Sequence, residues 1–247
     1  MKSLLTLLAF SVLTLGTAAK VTEKFSQTYP LAANGTISLD NVNGSIEIMA
    51  WDKAEVSFEA EKRAKDDEAL SHLHLKIEST ASRLTIKTEY EKQWKFWKNA
   101  QAEVHYKLMV PAGVSLDKID VVNASIHVSG VKGYVNLDSV NGSIEADGLA
   151  GASRFDTVNG SITIAYATLP PAEDISLDTV NGSCTLRLPA NAAFHLDADT
   201  VNGHVSCDFP ITLEKSGRHT LRGTVNGGTS KVKLDSVNGG LTVAKAN

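Results

Sequence analysis

The chain has 247 residues, with 24 Lys and Arg against 28 Asp and Glu and a formal net charge of −4. Acidic and basic residues are interspersed, so the sequence offers no basic face for nucleic acid or an anionic membrane, and neither is an expected partner. The length suits one elongated unit or two modest domains.

Residues 1–19 carry one basic residue, Lys2, an apolar run from Leu4 to Leu15, and then Gly16, Thr17, Ala18 and Ala19 before Lys20. This is the pattern of a secretory signal peptide cut near Ala19. The run is short of the roughly 20 residues that span a bilayer. No cysteine follows it as a lipidation site, and no later stretch is apolar enough to cross a membrane. The mature chain is therefore expected outside the cytoplasm, in the periplasm or at the cell surface of a bacterium.

Residues 20–113 alternate like β-strands at Gly35 to Met49, Glu55 to Glu61, His74 to Glu78, Arg83 to Tyr90 and Glu103 to Val110. Arg63 to Ser71 is polar and fits either a loop or a helical segment. Between the last two strands, Trp94, Phe96 and Trp97 interleave with Lys92, Lys95 and Lys98. Aromatics beside cations suit contact with sugars, lipid headgroups or a protein; they also suit a cap over a strand edge.

Residues 114–247 are built on one frame, Asp-x-Val-Asn-Gly-Ser-Ile, which reads Asp138 to Ile144, Asp156 to Ile162 and Asp178 to Cys184. Further copies sit at Asp40 to Ile46, Asp120 to Ile126 (with Ala124 for the glycine), Asp199 to Val205, Gly223 to Thr229 and Asp235 to Leu241. From Asn123 to Asn226 the asparagine-to-asparagine steps are 18, 18, 22, 21 and 24 residues, the length of one solenoid coil. Extra residues collect at Leu169 to Asp174, Pro189 to Ala193 and Phe209 to Gly217, opposite the Asn-Gly corner. Asn-Gly is also a hairpin signal. The frame recurs once per two strands with the same neighbours, however, which favours coils stacked in parallel.

In such a stack Asn43, Asn123, Asn141, Asn159, Asn181, Asn202, Asn226 and Asn238 form a corner column, each amide both donor and acceptor to the next. Asparagine and glycine there also tolerate a left-handed corner. A packed column leaves the Asn-x-Ser/Thr sites with no amide free for glycosylation. Counting from each asparagine, apolar residues at +3 and +5 form the core. Leucine or phenylalanine at −4 is out of phase with valine at −1, so the chain should bend between them, with aspartate at the bend accepting from turn N–H groups.

Asp138, Asp156 and Asp178 invite a glycosidase or calcium reading, but no second acid, base or electrophile marks out one pair, and the calcium-binding nonapeptide is absent. His72, His74, His105, His127, His195, His204 and His219 show no metal-ligand spacing. No catalytic residue, metal or cofactor is expected. Cys184 at +3 and Cys207 at +5 lie on what the repeat makes adjacent coils. Their two-residue offset puts the Cα atoms about 8 Å apart, beyond a disulfide's roughly 7 Å. Two buried thiols is the favoured reading.

The signal peptide, then Asn43-Gly44-Ser45-Ile46 through Ala50-Trp51-Asp52 to Glu55-Val56, then Leu108-Met109-Val110-Pro111-Ala112-Gly113 and the Val-Asn-Gly repeats, resemble the bacterial putative-adhesin family. The resemblance implies an exported all-β, right-handed parallel β-solenoid and carries over no catalytic residues. The Trp-rich insertion is where this chain departs from it. The expected function is non-enzymatic: binding or scaffolding in the cell envelope, with an envelope polysaccharide or protein as partner. The rival reading is a polysaccharide-acting β-helix enzyme.

Overall fold

The structure is a computed structural model and describes residues 20–91 and 102–246. The chain is all-β, and its sheet does not close. In chain order the N-terminal elements are β1 (Val21–Pro30), β2 (Thr36–Trp51), β3 (Glu55–Ala64), helix α1 (Asp67–Ser71), β4 (Leu73–Ser79), β5 (Arg83–Tyr90), β6 (Ala102–Pro111) and β7 (Ser115–Ser129). The repeats then supply β8 (Val135–Asn141), β9 (Ile144–Leu149), β10 (Ser153–Asn159), β11 (Ile162–Tyr166), β12 (Asp174–Asn181) and β13 (Cys184–Leu188). The chain ends with β14 (Phe194–Thr200), β15 (Val205–Cys207), β16 (Thr212–Ser216), β17 (Thr220–Val225), β18 (Ser230–Asn238) and β19 (Leu241–Lys245).

Equal frames stack in parallel and in register. Phe155 of β10 lies between Leu137 of β8 and Leu177 of β12, and Asp156 lies between Asp138 and Asp178. Past the corner, Ile162 of β11 lies between Ile144 and Cys184. Each repeat thus adds one strand to each of two ribbons, and the long strands β2 and β7 run through both, pairing from Thr36↔Ser115 to Met49↔Ser129. The frame at Asp40 to Ile46, although remote in sequence, is therefore the repeat stacked on the one at Asp120. Leu137, Phe155 and Leu177 join Ile144, Ile162 and Cys184 in a fully buried core, as alternation within each strand demands.

The order of the stack departs from the order of the chain. Strands β18 and β19 insert between the repeat of β12 and β13 and the repeat of β14 and β15. Antiparallel strands complete the two ends: β3 on β6 and β1 on β3 at one, β17 on β14 and β16 on β17 at the other. Such strands cover ladders that a parallel stack would leave open. Helix α1 occupies part of the polar stretch before β4; Asp66 caps it by accepting from the Ala69 N–H at 2.8 Å.

Candidate interaction face

The bend expected at each aspartate is absent. Strands β8, β10 and β12 run straight to the asparagine, so −4 and −2 point inward while aspartate at −3 and valine at −1 both point out. Six valines of this row, Val122, Val140, Val158, Val180, Val201 and Val237, are 38 to 63 % exposed. Beside them runs the aspartate row, which with Val158, Val180, Val201 and Val237 borders a shallow trough of about 930 Å³.

The aspartates do not brace turns; they meet cations projecting from the same face. Lys118 reaches Asp120 at 2.8 Å and Lys87 reaches Asp40 at 3.6 Å. Arg154 donates two hydrogen bonds to Asp156, at 2.7 and 3.0 Å. Lys233 pairs with Asp235 and lies 3.8 Å from Asp178, while Arg222 bridges Asp197 and Asp199 at 2.7 and 2.8 Å. Asp138 is different. Asn136 takes the place that Lys118 and Arg154 hold in the neighbouring repeats, and it donates to the Asp117 carbonyl at 3.0 Å. Partial burial, then the Asp156 and Asp120 charges on either side, hold the Asp138 carboxyl above the ordinary carboxylate range.

The corner keeps this face rigid. Asn123 donates to Asn43, Asn141 to Asn123, Asn159 to Asn141, Asn181 to Asn159, Asn238 to Asn181 and Asn202 to Asn238, all at 2.8 to 2.9 Å. The bonds point one way along the stack, an arrangement in which each polarises the next. These side chains are exposed for most of the ladder rather than packed. Asn226 is not among them, which corrects the expected column. Its Val-Asn-Gly ends the antiparallel strand β17, it adopts a left-handed φ of 51°, and it donates to the Ala192 carbonyl at 2.8 Å.

The glycines after the ladder asparagines serve close approach. A Cβ on Gly160 would lie 2.1 Å from the Gly142 carbonyl oxygen, and one on Gly182 would lie 1.9 Å from that of Gly160. The residue at −2 is a second tie that the sequence reading passed over. Ser139, Thr157, Thr179, Thr200 and Ser236 are buried and each donates to a corner carbonyl of the neighbouring repeat, at 2.9 to 3.2 Å. The signal was present in the frame, because its variable position is a hydroxyl in each of these copies.

The other candidates fall elsewhere. Trp94, Lys95, Phe96, Trp97 and Lys98 lie outside the described residues. Cys184 and Cys207 are both free, and their repeats are not adjacent: Cys184 pairs with Leu241 of β19, which lies between it and β15. Burial pushes the Cys184 thiol up to about 12. His72 and His74 converge on Glu91, at 3.0 and 3.4 Å. Among the described residues no group of three His, Cys, Asp or Glu side chains is placed to hold a metal.

An open all-β stack with in-register side-chain rows on its outer face belongs to the class of repeat proteins. The Toastrack DUF4097 model matches residues 113–244, more than half of the chain, and the chain belongs to that family. It is similar to the crystal structure of a putative cell adhesion protein from Clostridium sporogenes, with 13 % identity over 92 % of this chain and 100 % of that one and a TM-score of 0.52. A putative adhesin from Bacteroides fragilis aligns at 11 % identity over 90 % of this chain and 97 % of that one, with a TM-score of 0.40. The first likeness carries the fold alone. No curated protein matches.

Proposed function

We propose that this chain is an exported, non-enzymatic binding protein of the bacterial cell envelope, made as a precursor with a signal peptide at residues 1–19 and folding as one right-handed β-solenoid over residues 20–247. The observation that carries the reading is the outer face: aspartate and valine rows repeated in register on strands tied by the asparagine ladder and the buried hydroxyls. Rows held this way lose little freedom on binding, and preorganisation of that kind strengthens association. Right-handedness follows the preference of parallel crossover connections. The name of the Clostridium sporogenes protein that it resembles in fold points the same way.

The test is expression of the full chain in a bacterial host, with mass spectrometry of the product and sedimentation of the purified protein with envelope fractions. A mature N-terminus at Lys20 and saturable retention on envelope are expected. A full-length product retained in the cytoplasm would overturn export. Cleavage of acidic polysaccharide by the purified protein would overturn the non-enzymatic reading.

A further inference from the structure

We propose that the part of this face centred on Asp138 docks an extended, basic and apolar segment of a partner protein. The inference rests on the binding-face reading above and specifies the occupant. Three features of the face select it.

The first is charge. Aspartates outnumber the cations that pair with them on this face, and Asp138, between Asp120 and Asp156 in register, is the member of its row without an ion pair among the described residues. A lysine or arginine from outside would complete the pattern that Lys118 and Arg154 make in the flanking repeats. A second copy of the same face would set aspartate against aspartate, and anionic lipid or nucleic acid would be repelled.

The second is the valine row. Val122, Val140 and Val158 are about two-fifths exposed and lie side by side, on the same face as Asp120, Asp138 and Asp156. An apolar stripe beside a line of carboxylates matches a partner that carries apolar and basic side chains together, which a simple polycation does not.

The third is spacing. Asp138 and Val140 are two residues apart on one strand, about 6.7 Å, and residues two apart on one face of any extended chain have the same separation. A partner strand with Lys or Arg at one position and an apolar residue two further on can therefore seat both at once. Because β8 is already hydrogen-bonded to β7 and β10, the partner meets side chains here and adds no strand to the sheet.

The probe is a short, capped, fluorescein-labelled peptide of repeating Lys-Thr-Val-Thr, with Glu-Thr-Val-Thr as control, titrated with the mature chain by fluorescence anisotropy at low and physiological salt. The lysine peptide is expected to bind, more weakly as salt rises, and the glutamate peptide to fail. Asp138→Asn and the pair Val140→Ser with Val158→Ser should each weaken binding about threefold or more, while the valine pair, whose side chains face solvent, melts close to wild type and Asp138→Asn melts no lower than wild type. Undiminished binding by Asp138→Asn overturns the site. Unchanged binding by the valine variants, with free spermine competing as well as the peptide, overturns a protein segment in favour of a simple polycation. Envelope retention that survives in Asp138→Asn while the peptide fails to bind refutes this inference and leaves the broader reading standing. Peptide binding without envelope retention does the reverse.

Discussion

The buried Thr157 hydroxyl donates to the Gly142 carbonyl of the preceding repeat at 3.1 Å, the same tie that Thr179 makes to Gly160 at 3.0 Å. Thr157→Val keeps the shape and removes the donor, leaving a corner carbonyl without this partner. A loss of about 1 to 2 kcal/mol is expected, with Thr157→Ser retaining most of the stability. Urea unfolding of the two variants checks this; equal stability of Thr157→Val and wild type would mean that the hydroxyl column contributes nothing.

Asn159→Ala and Gly160→Ala, neighbours in sequence, should differ widely. The asparagine is exposed, so interrupting the ladder there should cost only about 0.5 to 1 kcal/mol. The glycine has no room for a Cβ, which would sit 2.1 Å from the Gly142 oxygen. Relief requires moving two repeats apart, at a cost of about 3 kcal/mol or more. If circular dichroism melts ranked Asn159→Ala as the worse variant, the ladder would have to be the principal tie between repeats.

Asp138 makes a pH prediction of definite sign. Its folded-state pKa is raised by burial and by Asp156 and Asp120, so the folded chain holds that proton more tightly than the unfolded chain. The group therefore favours folding below its unfolded pKa. That contribution disappears, and a penalty is established, as pH rises through the raised folded value. Asp138→Asn is accordingly expected to raise the melting temperature at pH 7 and to have almost no effect near pH 3. A lower melting temperature at pH 7 would show that a cation pairs with Asp138 in the folded protein.

Cys184 should resist alkylation in the native protein at pH 8, since burial holds its thiol near 12 and closes access. Cys207, half-buried, should react slowly, and both should react at once in denaturant. Because β19 separates their strands, a reducing agent should leave the melting temperature unchanged. Quantitative intact-mass spectrometry after maleimide treatment reads all of these; a species two mass units lighter and resistant to alkylation would reveal a disulfide.

The Asp-x-Val-Asn-Gly frame by itself determined parallel pairing. Identical corner amides bond one another only when repeats lie in register, and Asn141, Asn159 and Asn181 do so along the ladder. Alternation of apolar and polar residues marked the N-terminal strands, among them Arg83–Tyr90. Tertiary structure alone decided which repeat lies beside which. Every frame offers the same ladder, so Asn238 could bond Asn181 or Asn202 equally well, and in the fold it bonds both by lying between them. The choice depends on how the ends are covered: antiparallel β17 takes the free side of β14, and its Val-Asn-Gly becomes a turn rather than another corner. The outward valines were also beyond the sequence. Val158 is apolar and reads as core, yet strict alternation from the buried Phe155 and Thr157 leaves its side chain facing solvent.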